Sequence, residues 1–128
     1  MFNPLSFLSL AEKLNSTGFV DPKDEATLRT IVGRAYYAAH LYVREKLRRY
    51  FPSQLTDTYL RKEKVSEHRK VEELLTKKNL YFIAEKHYEL FELRVKADYK
   101  LQDPVGSGDV NKSFTLAKNI IQLTNRHL

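Results

Sequence analysis

One long run of helically spaced apolar residues limits the folds that are open to this chain. Between Leu28 and Leu47, apolar or small side chains recur every three or four positions, and the stripe ends before Pro52. A β-strand cannot keep this period, and at 1.5 Å per residue the helix would be about 40 Å long. We predict that this helix is the central element of an all-α fold.

Shorter segments with the same periodicity flank the central helix. Its start is indicated by Asp21 and Pro22, with Asp24 and Glu25 in the first turn. Four more helices are predicted over residues 3–15 (ending near Gly18), from Ser66 through Leu75, over about 80–101, and after a cap at Asp109 or Asn111. The connector 53–64 is polar and basic, with at most one helical turn. We therefore predict an antiparallel bundle of four to five helices, with residues 1–128 forming a single domain.

Length and composition remove several other classes of protein. A chain of 128 residues has the length of one domain. It contains no cysteine, which excludes a disulfide framework, a thiolate metal site and a cysteine nucleophile. It also has no apolar run of about 18 residues and no basic leader at its start, so we expect a cytoplasmic protein without a membrane span.

Positive charge is concentrated in the middle of the chain. The net charge is +6, from 22 Lys and Arg against 16 Asp and Glu, and residues 44–78 alone hold eleven basic and six acidic residues. Such a surplus suits a polyanion such as RNA, although it is more often simply a solvated helix face. The basic residues that would contact phosphate are Arg44, Arg48, Arg49, Arg61, Lys62, Arg69 and Lys70.

The usual signatures of cofactor and metal chemistry are missing from the sequence. There is no glycine-rich phosphate loop, no histidine pair at metal-binding spacing on a helix and no nucleophile elbow. The four histidines, His40, His68, His87 and His127, lie in four different segments. We expect neither a cofactor nor a bound metal.

Two short strings and one histidine stand out together. The first string is Arg-Ala-Tyr-Tyr-Ala at residues 34–38, and the second is Leu-Arg-Val-Lys-Ala-Asp-Tyr at residues 93–99, with His68 between them. In order and spacing they resemble the HEPN family, named from higher eukaryote and prokaryote nucleotide-binding. More narrowly, they are similar to its prokaryotic branch with Arg-Ala-Tyr-Tyr-Ala and Leu-Arg-x-x-Ala-Asp-Tyr strings. The resemblance covers about residues 5 to 125.

The resemblance implies both a fold and a biological setting. HEPN domains are small cytoplasmic four-helix bundles, commonly homodimers, and are often encoded with a minimal nucleotidyltransferase as a toxin and antitoxin pair. Active members are metal-independent ribonucleases that use an Arg, followed four to six residues later by a His, at a groove across the dimer. In such a site the Arg stabilises phosphate charge while the His transfers protons.

This chain departs from the catalytic pattern at one position. Arg94 stands at the expected place, but Tyr99 occupies the position of the histidine. A phenol, which titrates near pH 10 in water, is a poor general base at neutral pH. Arg94 and Asp98 are four residues apart on one helix face, so an internal ion pair is the favoured interpretation. The candidate catalytic residues are therefore Arg94, Asp98, Tyr99 and His68, and His68 either caps its helix or reaches the same cluster.

A polar cluster is predicted between the central helix and the helix that carries the second string. We expect Arg34, Tyr37, Arg94 and Asp98 to meet there, with either Tyr36 or Tyr37 in the core and the other at the surface. His40 is about 120° around the helix from Arg34, so a packed or interface histidine is its favoured interpretation. If RNA binds, its contacts are expected at Arg34, Tyr37, His40, Arg44, Arg48, Arg49 and Arg69.

The sequence leaves three classes of function open. The leading one is an RNA-binding or partner-binding component of a prokaryotic toxin and antitoxin or defence system, with a minimal nucleotidyltransferase as a partner. The second is a metal-independent endoribonuclease toxin. The third is a purely structural interaction subunit, whose apolar face makes a homodimer or docks the partner.

Overall fold

The described part of the chain folds into α-helices. The computed structural model describes residues 2–16 and 24–128, and no strand occurs among them. The six helices are α1 (Leu5–Ser16), α2 (Glu25–Arg48), α3 (Asp57–Glu63), α4 (Glu67–Lys77), α5 (Tyr81–Tyr99) and α6 (Ser107–His127). The prediction of an all-α helical bundle is thereby confirmed. None of these helices combines the length and apolarity that a bilayer span requires.

The predicted central helix is α2, which contacts α1, α4, α5 and α6. One side of it, including Ala39 and Val43, is buried in a cluster with residues of α4, α5 and α6. Residues near the start of α2, including Leu28 and Ile31, are buried in a second cluster with residues of α1 and of the end of α5. Burial on both sides explains why the apolar stripe of α2 is so long and continuous.

Caps account for the helix boundaries that the sequence analysis placed differently. The carboxylate of Asp24 accepts a hydrogen bond from the Ala26 amide, so Asp24 is the N-cap of α2 and not a first-turn residue. The predicted start at Asp21 and Pro22, and the predicted end near Gly18, lie outside the described residues. Gly106 is the N-cap of α6.

Neither residue predicted to cap the last helix occupies the N-cap position. Asp109 lies three residues inside α6 and accepts a hydrogen bond from the Gly106 amide at 3.1 Å. It also accepts one from the ammonium group of Lys96 at 3.1 Å, which ties the start of α6 to α5. Asn111 lies in the second turn of α6. A carboxylate at Asp109 therefore still serves the free amides of the first turn, but from within the helix.

The polar connector after α2 contains a helix of its own. The hydroxyl of Thr56 accepts a hydrogen bond from the Tyr59 amide, which starts α3, and Lys64 ends it with a left-handed backbone (φ 54°). Leu60 is the buried residue of this helix. At seven residues, α3 exceeds the single turn predicted and raises the number of helices to six in the described part of the chain.

Arg29 of α2 binds backbone carbonyls at the carboxyl-terminal end of α5. It adds a second donor to the Lys96 carbonyl, which already accepts from the Lys100 amide, and supplies a donor to the Ala97 carbonyl. Its guanidinium donates to the carbonyls of Lys96 and Ala97, both at 2.9 Å, and to that of Asp103 at 2.6 Å. It also forms an ion pair with Glu25 at 3.0 Å. These contacts fix the last turns of α5, which carry the second sequence string.

Candidate functional site

A groove lies where α2, α4 and α5 meet. It has a volume of about 300 Å³, and we call it the α2/α4/α5 groove. The polar and charged side chains that line it come from all three helices: Tyr36, Tyr37, His40 and Arg44 of α2, Glu67 and His68 of α4, and Arg94 of α5. The two sequence strings therefore meet at a concave surface.

Arg94 connects α5 with α2 at the edge of the groove. Its Nε donates to Asp98 at 2.9 Å, and its Nη2 donates to the hydroxyl of Tyr37 at 3.0 Å. This confirms the predicted ion pair four residues apart on α5. The Arg94 side chain is 18% exposed, and its Nη1 has no hydrogen-bond partner among the described residues. Part of the guanidinium thus remains available to an incoming anion.

The two adjacent tyrosines have different environments but share a neighbour. Tyr36 is buried and Tyr37 is half-buried, as predicted for one core and one surface ring. The guanidinium carbon of Arg94 nevertheless lies 5.6 Å from the ring centre of Tyr36 and 5.4 Å from that of Tyr37. The two adjacent rings therefore both contact the guanidinium of Arg94.

Arg34 joins the predicted polar cluster through an aromatic ring and not through an acid. Its guanidinium carbon lies 5.3 Å from the ring centre of Phe7 and 5.5 Å from that of Tyr37. It forms no ion pair with any of the described residues. The cluster of Arg34, Tyr37, Arg94 and Asp98 therefore exists, and both arginines contact the ring of Tyr37.

His68 lies in the groove and does not cap α4. The N-cap position of α4 is Ser66, and no side chain caps it. The ring of His68 stacks on that of Phe91, with 3.7 Å between ring centres. Burial lowers the pKa of His68 below its ordinary value, so the imidazole is neutral at pH 7. A neutral ring stacked on an aromatic can serve as a platform for a base or as a proton acceptor.

His40 lines the groove but exposes little surface to a ligand. It is 4% exposed, and both ring nitrogens are engaged: Nε2 with Glu67 at 2.7 Å and Nδ1 with Nε2 of His87 at 2.9 Å. Nδ1 of His87 in turn lies 2.7 Å from Glu72. The favoured interpretation of His40 as a packed histidine is confirmed, and its role as an RNA contact stays a prediction.

The protonation states of His40 and Glu67 are set by burial, by the hydrogen bond between them and by the charge of Arg44. Burial lowers the pKa of His40 to about 4, against the opposing effect of its hydrogen bond with Glu67. Burial also raises the pKa of Glu67, but the hydrogen bond from His40 and the charge of Arg44 outweigh it and lower that pKa to about 2. Glu67 is therefore a carboxylate at neutral pH, and it holds Arg44 at 3.1 Å.

Several predicted phosphate contacts are already paired with protein groups. Arg44 bonds Glu45 at 2.9 Å in addition to Glu67, and Arg48 bonds Glu45 at 2.8 Å and the Leu55 carbonyl at 3.2 Å. A phosphate would have to compete with these partners. Of the two, Arg44 lines the groove and Arg48 does not.

The rest of the basic set is divided between surface and interior. Arg49, Arg61, Lys62 and Arg69 are exposed and suit phosphate contact outside the groove. Lys70 is 5% exposed and bonds Glu73 at 3.2 Å and the hydroxyl of Tyr59 at 3.4 Å. Its predicted role as a surface contact is wrong, because it is buried beside Tyr59 of α3.

Tyr99, at the position of the missing catalytic histidine, does not line the groove. Its side chain is 67% exposed, and its ring centre lies 5.5 Å from the guanidinium carbon of Arg94. Tyr99 thus contacts Arg94 from the protein surface. No group of three or more His, Asp or Glu residues that could hold a metal ion occurs within residues 2–16 and 24–128.

Comparison with known proteins gives one short similarity. No protein-family model matches the chain, and no solved structure matches it. The chain is similar to an uncharacterized protein of Methanocaldococcus jannaschii, with 54% identity over 44 residues. This stretch is 34% of the present chain and 25% of the relative. The match thus spans about a quarter of the relative's length.

Proposed function

We propose that the protein binds RNA in the α2/α4/α5 groove. The observation that carries the proposal is the hydrogen bond from Arg94 to Tyr37, which joins the two sequence strings at the edge of this groove. A guanidinium flanked by aromatic rings matches what single-stranded nucleic acid presents, namely phosphates beside stackable bases. The available Nη1 of Arg94 would meet the phosphate.

The wider surface supports the same ligand. Arg49, Arg61, Lys62 and Arg69 are exposed cations on the stretch of the chain that surrounds α3 and begins α4. They add attraction for a polyanion without specifying a sequence. Inside the groove the charge is more balanced, because Asp98 and Glu67 pair with Arg94 and Arg44. We therefore propose that several phosphate contacts provide the affinity for RNA and that the groove determines where the RNA strand lies.

Salt dependence tests this proposal on the wild-type protein. We expect a fluorescent single-stranded RNA of mixed sequence to bind in EDTA, with the logarithm of the affinity falling linearly as the logarithm of the KCl concentration rises. Each phosphate neutralised contributes a slope of about −0.7. Fluorescence anisotropy at several KCl concentrations measures this slope. Absence of binding at low salt, or an affinity unaffected by KCl, would contradict the proposal.

Metal-independent RNA cleavage is a second candidate, and the neutral His68 beside Arg94 favours it. In such a reaction His68 takes the proton of a ribose 2′-hydroxyl, its oxygen attacks the adjacent phosphorus, and the bond to the 5′-oxygen breaks, that oxygen being protonated by water. Gel analysis of the same RNA samples in EDTA decides between the two candidates. Cleavage that disappears in both His68→Gln and Arg94→Ala supports the enzyme, and intact RNA with wild-type protein leaves binding alone.

The biological setting is part of the proposal and is drawn from the HEPN resemblance. We place the protein in the cytoplasm of a prokaryote, as a component of a toxin and antitoxin or defence system. A second copy of the chain and a minimal nucleotidyltransferase are the proposed partners. The exposed Tyr99 and the neighbouring Leu101 offer apolar surface to such a partner at the end of α5.

A further inference from the structure

Four buried or half-buried side chains form one continuous hydrogen-bonded chain beneath the groove. Glu67 contacts His40 at 2.7 Å, His40 contacts His87 at 2.9 Å, and His87 contacts Glu72 at 2.7 Å. His87 is completely buried and His40 nearly so. The chain therefore links α4 to α2, α2 to α5, and α5 back to α4.

The number of protons in this chain follows from its geometry. Each carboxylate can only accept, so Nε2 of His40 must donate to Glu67 and Nδ1 of His87 must donate to Glu72. Two neutral rings carry one proton each, and both are then used. The remaining contact, between Nδ1 of His40 and Nε2 of His87, would bring two lone pairs within 2.9 Å. One additional proton converts this repulsion into an N–H···N hydrogen bond.

We propose that His40 and His87 share this third proton at neutral pH, so the chain is a buried proton-binding site. Its charge is then −1, from two carboxylates and one imidazolium. The shared proton lies in the contact between Nδ1 of His40 and Nε2 of His87, which is 2.9 Å long. A second imidazolium is resisted, as expected for two coupled sites.

The surrounding titratable groups do not replace this proton. Burial raises the pKa of Tyr36, whose ring stacks on His40 at 5.3 Å, so its phenol stays neutral. His68 is neutral above its lowered pKa. Besides Glu67 and Glu72, the groups next to the pair are Tyr36 and Arg44 of α2 and His68 of α4, and Arg94 of α5 adjoins Tyr36 and His68.

The shared proton predicts a maximum of stability near pH 6.5. Histidines of the unfolded chain titrate near pH 6.5, so above that pH the folded chain holds a proton that the unfolded chain has lost. The stabilisation from the shared proton is fully present below pH 6.5 and is lost as the pH rises. A second effect acts below pH 6.5, where both histidines of the unfolded chain bind a proton while the folded pair keeps only one, down to the pKa of His40 near 4. Stability falls on both sides.

The variant Glu72→Gln distinguishes a histidine pair that shares a third proton from a pair of neutral histidines. The glutamine amide can donate to Nδ1 of His87, which leaves the proton of a neutral His87 on Nε2, pointing at His40. All three hydrogen bonds are then satisfied without the third proton. Glu73→Gln is the matched control, because Glu73 is the next residue of α4, undergoes the same change of charge and bonds Lys70.

Urea unfolding at pH 7 to 9 measures the additional proton of the folded state as the slope of folding stability against pH. We expect the folding equilibrium constant of the wild type and of Glu73→Gln to fall by up to about tenfold per pH unit, and that of Glu72→Gln to stay nearly constant. In addition, ¹H–¹⁵N NMR of the wild-type protein should show that the rings of His40 and His87 together hold one imidazolium at pH 7. A flat wild-type profile with two neutral rings would overturn the proposal, and the NMR result stands even if Glu72→Gln does not fold.

One consequence rests on the proposed function. His40 lines the same groove as Arg44 and Arg94, so loss of the proton adds a negative charge next to the groove. We expect RNA affinity to weaken between pH 7 and 9 in the wild type and less in Glu72→Gln. The stability and NMR measurements contain no RNA, so they distinguish failure of the proton site from failure of RNA binding.

Discussion

Arg29→Ala is expected to lower the free energy of unfolding by about 2 to 4 kcal/mol, since the guanidinium makes several charge-assisted hydrogen bonds. The substitution leaves the carbonyls of Lys96 and Ala97 without the partner that now lies 2.9 Å from each. It also separates the start of α2 from the end of α5. Urea unfolding monitored by circular dichroism measures the difference.

Arg126→Ala is the control for this change, because Arg126 is exposed near the end of α6. It removes the same charge, and we expect a change below about 0.5 kcal/mol. Arg29→Lys should recover only part of the loss, since an ammonium group cannot reproduce the fork that reaches several carbonyls. A loss below about 1 kcal/mol for Arg29→Ala would contradict its role as the anchor of α5.

Arg94→Ala is expected to weaken RNA binding by about 10- to 100-fold. That range corresponds to the roughly 1.5 to 3 kcal/mol that a charged hydrogen bond contributes. The guanidinium is held by Asp98 and Tyr37, so it is positioned before a phosphate arrives and its loss is felt in full. Anisotropy titrations at one fixed KCl concentration give the affinity.

The control for this titration is again Arg126→Ala, which lowers the net charge equally and does not touch the groove. We expect its affinity to stay within about threefold of the wild type, because one distant charge contributes only a screened, non-specific term. Equal losses in the two variants would mean that RNA binds through overall charge, and no loss in Arg94→Ala would place the binding surface elsewhere.

Local patterns predicted most of the helices and one part of the site. The apolar stripe of α2, the break between α5 and α6 and the pair Arg94 and Asp98 all depend on residues a few positions apart, where helical spacing is decisive. The capping differences at Asp24 and Asp109 are also local. They arose because several acceptors lie close together at each helix start, so that spacing alone does not select one.

The missed residues depend on contacts between distant parts of the chain. Arg29 and the carbonyl of Lys96 are 67 residues apart, and His40 and His87 are 47 residues apart. Lys70 is similar, since only the packing of α3 over it reveals its burial. For His87 a signal was present: it lies on the apolar face of α5 between Ile83 and Leu90, where a polar residue requires a buried partner.

The central claim is that RNA occupies the α2/α4/α5 groove, and NMR mapping with ¹⁵N-labelled protein tests it most directly. On addition of a short single-stranded RNA in EDTA, we predict the largest shift changes at Tyr37, His68 and Arg94, with none at Arg126. Changes confined to exposed cations such as Arg49 and Arg61, with the groove residues unaffected, would contradict the claim.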